Sequence, residues 1–386
     1  MSALDASARR RTTSTRIAGV DLARAAAIAG MMAVHVLPPG AAGAAGTLYE
    51  VAHGRASGLF AVLAGLSLGL TTRSAGGSAR ARAGARLEVV VRGALVAVLG
   101  LALVSAGSRI AVILPYYGLA FVAVLPFLWW PARRLAVVAV GWLLLAPVAS
   151  YALRAVHALP ARTEQPVLTD LPRPGELLQT LLLTGYYPVL GWTGYLLLGL
   201  AVSRLDLRAP RQAVQVAGAG ALLAGAAWIA SGLLLGPAGG GARLRALAGP
   251  SALQLQEFYG TVPTTSRWWL AVVAPHSGTP PDLLHTAGTA LLVIGLLCLL
   301  PPLLTRFLQP LSAFGGMPLS VYTAHVLALA AYPGDTATLL ALHVLVGIVL
   351  ATAWRAAAGR GPLETLVGTA AGGAGALIAP RRPARG

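Results

Sequence analysis

The sequence predicts an all-α, polytopic membrane protein, a bundle of about ten transmembrane helices, and three observations predict it. Hydrophobic residues make up 56% of the chain and charged residues only 11%, against roughly 25% charged in soluble domains. Mean hydropathy is +0.73. The apolar residues gather in runs about as long as a bilayer-crossing helix, separated by arginine-bearing connections.

Taken in order, the runs cover residues 17–37, 56–72, 87–106, 109–130, 134–153, 177–203, 211–236, 282–305, 311–332 and 336–358. The formal charge of +17 comes from 29 basic residues, all arginine, against 12 acidic ones. Those arginines alternate between connections. Arg9, Arg10, Arg11 and Arg16 precede the first run; Arg73, Arg80, Arg82 and Arg86 follow the second; Arg133 and Arg134 follow the fourth; Arg204, Arg208 and Arg211 follow the sixth. Arg306 follows the eighth, and Arg355, Arg360, Arg381, Arg382 and Arg385 follow the last. The intervening connections hold most of the acids, among them Glu50, Glu164, Asp170, Glu176, Glu257 and Asp335. The positive-inside rule then predicts a multi-pass protein of the cell membrane with both termini cytoplasmic. Topology accounts for the basic excess, so the expected partner is the lipid bilayer and not nucleic acid.

The first run is full length and lacks a small-residue cleavage pattern, so it is expected to stay as an anchor. A single cysteine, Cys298, excludes an intrachain disulfide and a cysteine-rich metal site. No metal site is expected, because no histidine pair shows a ligand spacing.

The domain reading is an arm at residues 1–16, a helical domain at 17–358 with an outer cap at 237–281, and a tail at 359–386. The tract "GPAGGGARLRALAGP" reads as flexible, and "EFYGTVPTTSRWWLAVVAPHSGTPPD" is too polar and too broken by proline to span. Trp268 and Trp269 are expected as interfacial anchors. The tail is expected to form a short interfacial helix near residues 362–368, followed by disorder. No internal repeat is strong enough to argue an inverted-repeat transporter.

Three ionisable residues lie inside the first run, in "GVDLARAAAIAGMMAVHV". At 100° per residue Arg24 and His35 fall within roughly 20° of each other, and Asp21 within roughly 40° of His35. One helix face carries all three, and it should look into protein. Asp21 and Arg24, i,i+3 neighbours, are placed to pair. In "FGGMPLSVYTAHVLALAAY", Tyr322 and His325 share a face, with Ser320 about a turn and a half before His325. His53 and Arg55 precede the second run, His276 lies in the cap and His285 opens the eighth run. Neutral imidazole can serve as general base, proton shuttle or nucleophile. H-E-x-x-H is missing, and the one G-x-S-x-G spacing, "GLSLG" at residues 65–69, lies inside an apolar run and not at the strand-to-helix turn a soluble hydrolase needs.

These two helices resemble the heparan-α-glucosaminide N-acetyltransferase family of transmembrane acyltransferases. Val20, Asp21, Arg24 and Met31 match the family's first catalytic-domain helix, with His35 where the lysosomal pattern has asparagine. "LFAVLAGLSLGL" is similar to the next helix, and Gly316, Met317, Tyr322 and His325 match a late Gly-Met … Tyr-x-x-His helix. "LLLTGYYPVLGWTGYLLLGLAVSRLDL", "WWLAVVAPHSGTPPDLLHTAG" and the terminal "GPLE" look like bacterial members.

The resemblance implies transfer of an acyl group, usually acetyl from acetyl-CoA, onto a sugar amine or hydroxyl. It implies a catalytic histidine in the outer loop between the first two matched helices, where His53 is the only one, with His35 a helix and a loop away as the substitute. His325 and Tyr322 complete the catalytic candidates. Arg24, Arg55 and Tyr322 are candidates to stabilise developing charge. Arg24, Arg55, Arg86, Arg133 and Arg134 are the candidates to hold the acyl-CoA, whose phosphates require cations. No permanently bound cofactor is expected. The acceptor would be a glycan or other envelope molecule, and a second copy of the chain is a further candidate partner. The alternative class is a proton-coupled exporter of a lipid or sugar, with Asp21, Arg24 and the histidines as its relay; a third is a noncatalytic membrane scaffold.

Overall fold

The computed structural model describes residues 16–107, 109–250 and 258–379. Most of the N-terminal arm, Glu257 and the last three arginines of the tail lie outside the described residues.

The described chain is helical, without a strand. It enters as α1 (Ala18–Val36), turns through α2 (Gly43–Ala52) and returns as α3 (Arg55–Thr72). α4 (Ala79–Ser105), α5 (Leu114–Ala123) and α6 (Ala132–Val156) follow. α7 (Pro174–Gln179) continues through a wide turn, Thr180–Thr184, and α8 (Val189–Val202) follows at 61° to it. α9 (Pro210–Leu235) leads into the cap and its helix α10 (Gly240–Ala248); α11 (Pro280–Cys298) leaves it. The short α12 (Pro302–Phe307) and α13 (Gln309–Gly315) precede a 79° bend into α14 (Pro318–Ala331), and α15 (Ala337–Ala358) and α16 (Pro362–Ile378) complete the chain. Among the described residues, 7 helices are long and apolar enough to cross a membrane, or up to 9 if each bent pair is one span. The run at 109–130 is not one long helix. Pro115 opens α5 and Pro126 sits in the tight turn that ends it, because proline removes a helix hydrogen bond and collides with the preceding turn.

One face of the bundle gathers the connections rich in arginine. Arg208 donates to the Arg16 carbonyl (3.3 Å), and the Arg204 guanidinium donates to the carbonyls of Gly69 (3.3 Å), Trp130 (3.3 Å) and Leu128. This is the terminal face; the opposite one carries the cap. α1 runs between them through the centre, packed on α3, α11, α13, α14 and α15. Van der Waals packing without water to expel favours small residues at such crossings. A Cβ on Gly315 would stand 1.9 Å from the Asp21 carbonyl, and one on Gly199 1.9 Å from that of Val62, so α13 reaches the backbone of α1 and α8 that of α3.

The cap is folded, and its opening glycine tract is more ordered than expected. The glycine tract enters α10 through Gly239 in the left-handed region (φ 79°), and Leu244 drops into a small core with Phe258, Val262, Trp269 and Val272. Trp269 is therefore no interfacial anchor: it is 1% exposed, and its Nε1 donates to Thr265 (3.1 Å). Trp268 lies against Arg243 at 5.4 Å. Arg154 and Tyr151 of α6 tie this core down by donating to the carbonyls of Val262 (2.8 Å) and Thr264 (3.0 Å).

The tail also departs from expectation. α16 runs on to Ile378 along α4, because Gly375 meets Gly84 closely enough for backbone contact and Arg80 donates to the Ile378 carbonyl (2.6 Å). At its start Glu364 caps α14, accepting from the backbone N–H of Leu319 (2.7 Å) and Ser320 (3.1 Å) and from the Ser320 hydroxyl (2.5 Å). A carboxylate at a helix N-terminus satisfies orphan donors and opposes the helix dipole. Glu364→Ala is expected to destabilise the protein by about 1–2 kcal/mol, read as a lower thermal midpoint in detergent, with Glu364→Gln losing less.

Candidate functional site

Two cavities lie one above the other along α1. The inner one, about 190 Å³, is nearer the terminal face and is walled by Phe60, Tyr117, Phe121 and other apolar groups, with Arg24, Arg92, Ser67, Thr71 and Glu364 among its polar members. Arg24 pairs with Asp21 at 2.6 Å and donates to Ser67 at 2.9 Å. The helical wheel of α1 foresees that pair; its tie to α3 needs the fold. Arg92 pairs with Glu88 at 3.3 Å, one turn away.

The outer cavity, about 370 Å³, opens under the cap. His53 is placed by two turns. It ends α2, and Gly54 after it has φ 73°, where a side chain would strike Pro275 of the cap. His276, the next residue of the cap, holds a strained φ of 56°. Such strain survives only where the surroundings impose it, and it clusters at functional sites. The two imidazoles face each other with ring centroids 5.6 Å apart, and Tyr186 lies 4.5 Å from His276. Tyr186 and Tyr187 come from residues 185–188, the break between α7 and α8. Non-helical backbone at membrane depth is tolerated where it lines a cavity. Burial, with the neighbouring imidazoles of His53 and His35, pushes His276 down to about 3, so it is neutral at physiological pH. Arg109, exposed, stands at the mouth of the cavity.

His35 lines the same cavity and begins a chain of imidazoles. Its Nδ1 is 3.2 Å from His325 Nε2, and His325 Nδ1 is 2.7 Å from His343 Nδ1. A neutral ring donates at one nitrogen and accepts at the other, so the middle ring fixes the sense of both bonds. When His325 donates to His35 it accepts from His343, and a proton shift reverses all three. His343 opens onto a groove of about 490 Å³ between α14 and α15. Tyr322 takes no part in that chain. Its ring meets that of His35 edge-on at 6.5 Å.

The family model for the heparan-alpha-glucosaminide N-acetyltransferase catalytic domain matches residues 16–232. The chain belongs to this family. No curated protein and no solved structure matches it. Membership makes the chain a member of a membrane acetyltransferase family, and the matched region supplies Asp21, Arg24, His35, His53, Arg92 and Arg109. His276, Tyr322, His325 and His343 come from beyond it.

The fold does not gather all the expected residues of this acetyltransferase-family chain. His53 and His35 share the outer cavity, and His325 touches His35. Arg24 lines the inner cavity alone among the expected cations. Arg55 starts α3 at the cap end, where it donates to the Glu50 carbonyl (2.7 Å). Arg86 stacks over Trp129 at 5.3 Å, and Arg133 and Arg134 are exposed at the start of α6. His285 donates to the Ala224 carbonyl (3.1 Å) and so holds α11 to α9. The sequence reading passed over Arg92, Arg109 and His343. Arg92 and His343 carry the signal used elsewhere, an ionisable residue at bilayer depth.

Two outcomes test this geometry. Removing one member of a buried ion pair commonly costs about 3–5 kcal/mol, so Asp21→Asn and Arg24→Gln alone should each lower the thermal midpoint more than the double variant does. His276 is neutral in the fold but titrates near pH 6.5 when unfolded. Its depressed value makes a contribution that is full above pH 6.5 and lost as pH falls toward 3. Between pH 7.5 and 5 the wild type should lose about 2 kcal/mol that His276→Asn does not lose, read by chemical unfolding at each pH.

Proposed function

We propose that the protein transfers an acyl group, acetyl in the first instance, from a CoA thioester to a sugar or other envelope acceptor. The donor enters from the terminal face, which we place in the cytoplasm with both termini, and the acceptor sits in the outer cavity. The observation that carries this reading is the succession along α1 of an arginine-bearing inner cavity and a histidine-lined outer one. Arg24 and Arg92 suit the pyrophosphate or pantetheine of the donor, with the arginines of the terminal face around the mouth. At the outer end His53, beside His276, takes the proton of the acceptor's amine or hydroxyl as that atom attacks the thioester carbonyl. Arg109 faces the negative charge that develops on the carbonyl oxygen. Collapse of the tetrahedral intermediate breaks the carbon–sulfur bond, and the departing CoA thiolate recovers the proton.

The chain His35–His325–His343 favours a second reading, a proton-coupled exporter in which those imidazoles relay the proton. Thermal-shift titration with acetyl-CoA separates the two. Stabilisation at micromolar ligand, weaker as salt screens the phosphates, is expected for the transferase. No shift at millimolar ligand selects the exporter. His53→Ala and His276→Ala should each lower turnover per folded molecule by about 10² or more, the scale of a lost general base.

A further inference from the structure

The layer between the two cavities is made of aromatic rings. Phe60 stacks on Tyr117 (5.8 Å, 19° between planes) and on Tyr322 (6.5 Å, 23°), and Tyr322 in turn touches His35. Phe60 and Tyr117 wall the inner cavity, while His35, and Ser57 one turn before Phe60, wall the outer one. All three rings are buried. At these separations the rings are in packed contact.

The three rings are not held alike. The Tyr117 hydroxyl donates to the Ser57 carbonyl (3.4 Å), and Tyr322 is among the most deeply buried side chains of the bundle. Phe60 has no polar atom and no such tether, and it borders open volume on its inner side. A change of its side-chain rotamer breaks ring contacts only, each worth little alone. Moving Tyr117 also gives up its hydroxyl's hydrogen bond in a buried setting, which costs more.

We propose that Phe60 is the moving leaf of a gate between the cavities, and that the room its displaced ring leaves beside Tyr117 and Tyr322 sets the length of acyl chain that is transferred. The proposal rests on the reading of the inner cavity as the donor's entrance. With the nucleotide held at the terminal face, the acyl group leads the thioester through the layer. Its methyl end must clear Phe60 before the carbonyl reaches the acceptor beside His53 and His276. Acetyl presents one methyl group to the gap. Each added methylene needs room that the displaced Phe60 ring still occupies.

The test uses the full-length protein in lipid nanodiscs with acetyl-, butyryl- and octanoyl-CoA and glucosamine as acceptor. Free CoA thiol is followed, because it is released whether the acyl group passes to the amine or to water. The wild type should prefer acetyl over octanoyl by about 100-fold, within the range a close-fitting apolar site achieves for added methylenes. Phe60→Ala should shrink that preference to less than about tenfold while acetyl turnover stays within about tenfold of wild type. The ratio is taken within one sample and does not depend on how much of the variant folds; Phe60→Leu, which keeps more of the packing, should fall between. Phe60→Trp should still be stabilised by acetyl-CoA but release little thiol. An unchanged ratio in both smaller variants overturns the gate. Absence of thiol release from every thioester by the wild type overturns the donor reading, and the gate with it.

Discussion

The buried pair of Asp21 and Arg24 is the constraint on which the centre of this protein depends. A carboxylate and a guanidinium on a bilayer-depth helix are tolerable when they meet each other and are kept from lipid. Their 2.6 Å contact does the first, and the helices around α1 do the second. The consequences spread outward. Arg24 also binds Ser67, which fixes the rotation of α1 against α3, and α13 closes over the Asp21 carbonyl through Gly315. With that rotation set, His35, eleven residues beyond Arg24 on nearly the same face, is aimed into the bundle at His325.

The chemistry gathers where the helices give way. His53 sits on the turn between α2 and α3, His276 on strained backbone in the cap, and Tyr186 and Tyr187 in the break before α8. The bend before α14 leaves a helix start that Glu364 of the tail fills. An intact membrane helix satisfies its own backbone and presents mainly side-chain surface. A broken one must recover its hydrogen bonds from neighbours, and the pocket that supplies them becomes a place where polar groups converge.

Charges and imidazoles are divided along α1. Arg24 and Arg92 line the inner cavity, while imidazoles line the outer one, where Arg109 stands at the mouth, with aromatic rings between. This separation suits a reaction whose polyanionic donor and whose acceptor approach from opposite sides. The matched catalytic region contributes α1 to most of α9, yet the later helices and the cap supply His276, Tyr322, His325 and His343. The site is thus closed by residues that the matched region does not contain.

Much of this was legible in the sequence, because the bilayer imposes a one-dimensional rule. Helix length, apolar runs and arginine alternation follow from the cost of placing polar atoms in hydrocarbon, and that cost is paid residue by residue. The Asp21–Arg24 pair and the shared face with His35 follow from helix periodicity alone. Contacts between helices do not. Nothing in the spacing of Trp268 and Trp269 distinguishes a membrane anchor from a cap core, and nothing in the tail's glycines says that Gly375 will meet Gly84. The partners of His325 lie 290 residues before it and 18 after it. The sequence by itself determined which residues could not face lipid. Only the tertiary structure decided which of them meet, because that depends on how closely small residues let the helices approach and on where prolines and breaks turn the chain.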